Sequence, residues 1–149
     1  MMTIDYENPW SFNGKPFDTV DIKNYVGFVY VILSQITGQY YIGRKYFFTH
    51  RKKTGATRRS KAESDWKKYY GSNDVLRAEI KEHGKENYKR IILSLHTTKG
   101  DVNYEEVKQQ FICNVLENDK YYNDNINGKW YRKADHIVKG RLLNEDFRL

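Results

Sequence analysis

Basic side chains are concentrated in one continuous segment, between Arg44 and Lys68. The segment holds ten lysines and arginines against Glu63 and Asp65, so it carries +8 while the rest of the chain carries −1. Neutralising backbone phosphates releases counterions, so this cluster suits nucleic-acid binding. A solvated, flexible basic loop is the alternative, although aromatic residues interleaved with the charges (Tyr46, Phe47, Phe48 and Trp66) favour nucleic acid. The ten cations are Arg44, Lys45, Arg51, Lys52, Lys53, Arg58, Arg59, Lys61, Lys67 and Lys68.

Two tyrosines, Tyr30 and Tyr41, are expected on the paired strands that come just before this basic segment. Residues 28–33 are apolar and β-branched, which predicts a central strand. Residues 34–38 form a turn, and residues 39–43 return as a second strand. Paired strands can point both hydroxyls into one cleft, next to cations that could clamp a phosphate. Ordinary strand packing of the tyrosines is the alternative.

The remaining elements follow from caps and periodicity. A helix capped by residues 72–74 is expected to end at Gly84, and residues 88–95 form a third strand. A second helix is expected from about residue 103 to residue 116. Its apolar face would consist of Tyr104, Val107, Phe111 and Val115. The order predicts an α/β (α+β) fold, a small three-stranded mixed or antiparallel sheet flanked by helices.

The whole-chain composition indicates one small intracellular domain. A length of 149 residues allows one core, and the single cysteine, Cys113, fits a reducing cytoplasm. No apolar run is long enough to span a membrane, and the N-terminus does not resemble a signal peptide. We expect an N-terminal arm over residues 1–24 packed on a domain of residues 25–125, followed by a basic tail over residues 126–149.

The hairpin resembles that of the GIY-YIG endonuclease family. Residues 28–30 (Phe-Val-Tyr) stand at the first triplet, and residues 41–43 (Tyr-Ile-Gly) form the second, with ten residues between them. Arg51 lies near the position of the family's arginine. Residues 64–72 are similar to the W-x-x-Y-x-G-S signature of phage-encoded, homing-endonuclease-like members, and residues 122–123 to the Y-N that closes the core. The resemblance covers roughly residues 25–125.

This resemblance implies hydrolysis of phosphodiester bonds with one divalent ion, Mg²⁺ or Mn²⁺. It gives Tyr41 the role of activating or orienting water and Tyr30 that of its hydrogen-bonding partner. Arg44, Lys45 and Arg51 are the cations available to clamp the phosphate. Because a free tyrosine titrates near pH ~10, Tyr41 could act as a base only if nearby cations lowered its pKa. Asn123 would tie down a loop or hold the phosphate, or merely form a turn.

The metal ligand is predicted on the second helix. Many family members carry a glutamate where this chain has Gln110, which lacks the charge that Mg²⁺ favours. Glu106 lies one turn earlier on the same face. Residues 103–108 match the Asn-Tyr-x-Glu pattern of the phage-type branch with Glu106 as its glutamate. We therefore predict Glu106 as the ligand, with Glu105 as the alternative.

The predicted function is a metal-dependent DNA endonuclease of the homing or mobility type, acting on double-stranded DNA in the cytoplasm of a host cell. The alternative is the same fold binding DNA without catalysis, which Gln110 favours. The sequence leaves both monomer and homodimer open.

Overall fold

A computed structural model describes residues 4–52, 55 and 59–133 of the chain. Its helices are α1 (Asp74–His83) and α2 (Lys99–Ile112). Its strands are β1 (Ser11–Phe12), β2 (Lys15–Pro16), β3 (Gly27–Ser34), β4 (Tyr40–Tyr46), β5 (Phe48–Lys52), β6 (Arg59–Glu63), β7 (Tyr88–His96), β8 (Asn125–Ile126) and β9 (Trp130–Tyr131).

The main sheet has the strand order β2-β1-β7-β3-β4. The three predicted strands are neighbours in it: β3 lies between β7 and the edge strand β4 and is antiparallel to both. The sheet has five strands rather than three because the N-terminal arm adds β1, parallel to β7, and β2. A bulge between β3 and β7 shifts the register between Val29 and Tyr30, next to one of the predicted site tyrosines. Bulges at such places re-aim a side chain.

A buried arginine ties the arm to the rest of the domain. Arg90 on β7 is 2% exposed and donates five hydrogen bonds to backbone carbonyls. Its acceptors are the carbonyl oxygens of Glu7 and Asn8 in the arm and of Lys67 and Tyr69 in the loop before α1. The guanidinium also lies 4.2 Å from the ring centroid of Tyr70. Burial lowers the pKa of Arg90, against the favourable fields of nearby tyrosines.

The basic segment forms a hairpin, where the sequence indicated only a loop. Strands β5 and β6 pair from Phe48↔Glu63 to Lys52↔Arg59. Two of the aromatic residues taken to favour nucleic acid, Phe47 and Trp66, are fully buried in the core, where their rings meet edge to face. Those two residues therefore stabilise the domain and are not free to stack on bases.

Helix α1 ends at Gly84 as predicted, while α2 differs from its prediction. It begins at Lys99, four residues earlier than expected, because Thr98 caps it through a bond from the Asp101 N–H. The predicted apolar face is wrong: Tyr104 is 68% exposed and Phe111 is 47% exposed.

The face of α2 that packs on the sheet is instead partly polar. Its buried residues are Val102, Glu106 and Gln110. Val115 is buried too, but it lies beyond the end of the helix. Within the residues described, neither helix is long and apolar enough to cross a bilayer.

Candidate active site

The two tyrosines line one cleft, a cavity of about 350 Å³ beside β4. Tyr30 on β3 faces Gly43 on β4, and the ring of Tyr30 lies 6.2 Å from that of Tyr41, centroid to centroid. The cleft is also lined by Arg44, Lys45 and Glu106. The fold thus brings together residues from two strands and from α2, up to 76 positions apart in the chain.

Two glycines provide the space that these tyrosine rings occupy. A Cβ placed on Gly43 would clash with the hydroxyl oxygen of Tyr30, so any other residue there would displace the Tyr30 ring. A Cβ on Gly71 would lie 3.0 Å from the ring of Tyr41, and Gly71 also has φ +86°, a conformation that favours glycine. The glycines of both sequence motifs therefore position the tyrosines by leaving room for them.

The hydroxyl of Tyr41 is held by a residue that the sequence analysis did not select. It shares a hydrogen bond of 2.9 Å with the hydroxyl of Ser72, just before α1. Burial raises the pKa of Tyr41, and the bond to Ser72 opposes this only in part. The lowered pKa that a tyrosine base requires is therefore absent from this arrangement. Ser72 belongs to the Y-x-G-S signature, which was the signal available in the sequence.

Tyr30 is more deeply enclosed. Burial raises its pKa well above the ordinary value, and the neighbouring Tyr41 and Tyr69 raise it further. The Tyr69 ring lies edge-on to the Tyr30 ring at 6.0 Å between centroids. Tyr30 therefore keeps its proton and can act only as a neutral hydrogen-bonding group. Tyr69 is a second residue of the cleft that was missed.

Arg44 and Glu106 form an ion pair across the cleft. The Nη1 atom of Arg44 donates to Oε1 of Glu106 at 2.7 Å. Burial raises the pKa of the Glu106 carboxyl, and the guanidinium opposes this rise. Burial acts to lower the pKa of Arg44, but the facing carboxylate outweighs it and raises that pKa. Each charge is thus partly desolvated and depends on the other.

Lys45 also lines the cleft and forms an ion pair with Asp65. Its ammonium lies 2.6 Å from Oδ1 of Asp65 and 4.0 Å from the centroid of the Tyr69 ring. The hydrogen bond from Lys45 lowers the pKa of Asp65. Lys45 therefore lines the cleft with a charge that Asp65 partly neutralises.

A second and more polar cavity, of about 340 Å³, meets the first at Tyr41, Arg44, Ser72 and Glu106. Gln110 also lines it and is 4% exposed. The Nε2 of Gln110 donates to the Ile42 carbonyl at 3.0 Å. Its Oε1 is buried and has no hydrogen-bond partner among the described residues.

Asn123 braces β4 rather than facing the cleft. Its Oδ1 accepts a bond from the Ile42 N–H at 3.1 Å, and its Nδ2 donates to the Ile42 carbonyl at 2.8 Å. Both ends of the amide are therefore engaged by the backbone N–H and C=O of one residue of β4. Asn123 therefore joins the loop after α2 to β4, and its contact with phosphate stays a prediction.

Glu106 and its neighbour Glu105 differ in placement. Glu106 lines both cavities, while Glu105 lines neither. The Oε1 of Glu105 instead accepts a bond of 2.9 Å from Gln109, and its other oxygen lies 4.0 Å from Lys108. The geometry favours Glu106 as the carboxylate of the site.

The predicted phosphate-binding cations are dispersed. Lys67 lies 3.4 Å from Asp5 of the arm, and Lys68 is exposed near α1. Arg51, Lys52 and Arg59 belong to the paired backbone of the β5–β6 hairpin. Lys53 and Arg58, like most of the basic tail, lie outside the described residues.

Comparison with known proteins agrees with this geometry. The family model described as "Putative endonuclease segE, GIY-YIG domain" matches residues 10–126, more than half of the chain. No curated protein and no solved structure matches the chain significantly. The matched range includes the paired tyrosines, the glycines that make room for them, and Glu106. The chain belongs to the GIY-YIG endonuclease family.

Proposed function

We propose that this protein is a divalent-metal-dependent endonuclease that hydrolyses phosphodiester bonds in double-stranded DNA. The observation that carries the proposal is the convergence of Tyr41, Arg44 and Glu106 on one cleft. The cleft thus places a hydroxyl, a cation and a carboxylate around the position that a single phosphate would occupy. Phosphodiester hydrolysis needs positioned water and neutralisation of the charge that builds on the phosphate, and these groups can serve both needs.

The donor set around Glu106 suits a hard cation such as Mg²⁺ or Mn²⁺. Glu106 would hold the ion, and Gln110, with a buried and unpartnered Oε1, and Asp124 line the same cavity. Mg²⁺ is commonly bound by one or two carboxylates and keeps several waters, so a single glutamate suffices. When bound, such an ion supplies neutralisation of the phosphate charge and a polarised water.

The protein's own groups then have distinct roles. Burial raises the pKa of Tyr41 and so favours its neutral form, and we assign it the orientation of a water or a phosphate oxygen through a hydrogen bond. Ser72 fixes the direction of that hydroxyl at 2.9 Å. Arg44 holds Glu106 until substrate arrives, and its guanidinium is placed to turn from the carboxylate to the phosphate.

The mobility-type role, with action in a host cytoplasm, rests on the similarity of residues 64–72 and 103–108 to phage-encoded members. The main alternative function is a DNA-binding module that has lost catalysis. Two features favour this alternative. The Arg44–Glu106 ion pair occupies the carboxylate, and position 110 carries an amide instead of a carboxylate. We rank catalysis first because Tyr41, Arg44 and Glu106 line one cleft.

A plasmid-nicking assay with and without Mg²⁺ tests the proposal, with Glu106→Gln as the key variant. We expect the parent to nick DNA only with the ion. Glu106→Gln should abolish nicking and weaken Mn²⁺ binding measured by calorimetry. DNA affinity should stay the same or increase slightly, because a negative charge facing phosphate is removed. Glu105→Gln is the matched control and should behave as the parent, since Glu105 lines neither cavity.

Two further outcomes distinguish the alternatives. The double variant Glu106→Gln/Gln110→Glu should recover part of the activity, because a carboxylate returns one turn along the same face. Recovery should be incomplete, since Gln110→Glu loses the bond to the Ile42 carbonyl. A parent that binds DNA and never nicks it would favour the non-catalytic module. A dead Glu105→Gln beside an active Glu106→Gln would move the ligand by one residue.

A further inference from the structure

A basic groove lies beside the cleft, on the side of α1. We call it the α1 groove and define it by four cations that line one cavity of about 580 Å³: Lys68, Arg77, Lys81 and Lys85. Arg77 and Lys81 are one turn apart on α1, so they share a face. Lys85 follows Gly84 at the end of the helix, and its ammonium lies 6.0 Å from the ring centroid of Tyr70.

Folding creates this basic surface out of a segment that is not basic. Residues 74–86 contain three lysines and arginines and four acidic residues. Among the acidic residues of the described chain, Asp65 alone lines the α1 groove, and its charge is engaged by Lys45 at 2.6 Å. Glu79, by contrast, accepts a bond from the hydroxyl of Tyr122. The cations of α1 therefore line the groove, while the acidic residues of the helix do not.

The cations of the α1 groove are available to a ligand. Lys68, Arg77, Lys81 and Lys85 are all exposed, and none forms an ion pair with another residue in the described part of the chain. A concave surface carrying several unpaired cations attracts a polyanion strongly, and folding alone does not account for their arrangement.

The α1 groove is continuous with the proposed active site. Ser72 lines the groove, the tyrosine cleft and the polar cavity, and its hydroxyl bonds to Tyr41. A strand whose phosphate lies at Tyr41 would therefore enter the groove at Ser72. Arg77 and Lys81 lie one turn apart on the same face of α1 and both line the groove, so they can contact phosphates of the same strand.

We propose that the α1 groove binds the sugar–phosphate backbone of the cleaved strand beyond the phosphate that is cut. This inference rests on the proposed nuclease function and adds the path of the substrate. The basic β5–β6 hairpin and the α1 groove then hold DNA on two sides of the cleft. The contacts are with phosphates, so they position the strand without reading its bases.

The test compares two triple variants that lose the same charge. The groove variant is Arg77→Ala/Lys81→Ala/Lys85→Ala, and the control is Lys15→Ala/Lys108→Ala/Lys120→Ala, which removes exposed lysines that do not line the groove. Binding to a 30-base-pair duplex is followed by fluorescence anisotropy in EDTA at several salt concentrations. We expect the groove variant to lose roughly tenfold or more in affinity, and its salt slope to fall by about 3 relative to the parent.

A cross-linking measurement locates the strand directly. A photoactivatable group is attached at Lys81→Cys in a Cys113→Ser background, with Lys15→Cys as the control position. We expect position 81 to cross-link DNA and position 15 to cross-link little. If the parent cuts DNA but the groove variant binds like the control and position 81 does not cross-link, the groove inference is wrong and the nuclease assignment stands. A parent that neither binds nor cuts DNA overturns both.

Discussion

Gly43 shows how the glycine of a motif can mark the place of another residue's hydroxyl. The second triplet, Tyr-Ile-Gly, lies in a strand, and the structure explains its glycine. A Cβ at that position would clash with the hydroxyl oxygen of Tyr30. The sequence could identify Tyr30 and Tyr41, because their spacing matches a motif. It could not reveal the bond from Tyr41 to Ser72, since the two residues are 31 positions apart and meet only in the folded chain.

Gly43→Ala should misplace Tyr30 and destabilise the fold by about 1–3 kcal/mol, as expected for overpacking a buried site. Cleavage should fall more than stability alone explains, because the displaced ring borders the cleft. Urea unfolding and the nicking assay measure the two effects. Gly100→Ala is the control, since a Cβ there meets nothing within 4 Å, and it should be neutral or slightly stabilising. A fully active and stable Gly43→Ala protein would contradict this explanation of the motif.

Tyr41→Phe removes one oxygen and should lower the cleavage rate by roughly 10²–10³-fold while the fold stays intact, as expected for the loss of one positioned hydrogen-bond donor. The reason is the loss of the group that Ser72 orients in the cleft. Single-turnover cleavage and circular dichroism check the two parts of this expectation. Tyr104→Phe makes the same chemical change on a residue that is 68% exposed, so it should act as the parent. Normal cutting by a well-folded Tyr41→Phe protein would reduce this tyrosine to packing.

Among the elements, strands were easier to predict than the faces of helices. Runs of β-branched and aromatic residues indicated β3, β4 and β7, because strand packing favours those residue types. The face of α2 was predicted from its apolar residues, which assumed that a packed face is apolar. Instead two polar residues, Glu106 and Gln110, are buried on the packed face, where they line the polar cavity. The β5–β6 hairpin escaped prediction since its sequence is basic and lacks apolar alternation.

The hairpin carries a prediction of its own. Replacing Arg51, Lys52, Lys53, Arg58 and Arg59 by alanine should weaken DNA binding and flatten its dependence on salt, because fewer counterions are released. Stability should change little, as each strand keeps its backbone pairing. Anisotropy titrations at several salt concentrations provide the measurement. An unchanged affinity and salt slope would show that the charge excess of the segment serves another purpose.

At the scale of the whole molecule, Arg90 joins parts of the chain that the sequence analysis treated separately. It bonds to carbonyls of the arm and of the loop that carries the Y-x-G-S signature. Composition alone could not indicate this, because a buried arginine without a carboxylate partner looks like any surface cation in the sequence. The same holds for the charges of α1, which become a basic face only in the helix.

Arg90→Ala should destabilise the protein by about 3 kcal/mol or more, because it leaves several backbone carbonyls without their donor. The arm should also become sensitive to protease, and cleavage should drop with it. Urea unfolding and limited proteolysis provide the readouts. Lys89→Ala, an exposed neighbour on β7, is the control and should change neither. An arm that stays protected in Arg90→Ala would mean that Trp10, which bonds to the Trp66 carbonyl at 2.8 Å, suffices to hold it.

The position of Arg90 in the chain also bears on the order of folding. Its contacts with Glu7 and Asn8 join residues more than 80 positions apart, so Glu7 and Asn8 leave the ribosome well before Arg90 is available to bind them. Such long-range contacts require loop closure before they stabilise anything, which slows folding. The carbonyl oxygens of Lys67 and Tyr69 gain their hydrogen bonds only when the same Arg90 side chain is in place. A nascent chain would thus complete the loop that carries Ser72 only after β7 has emerged.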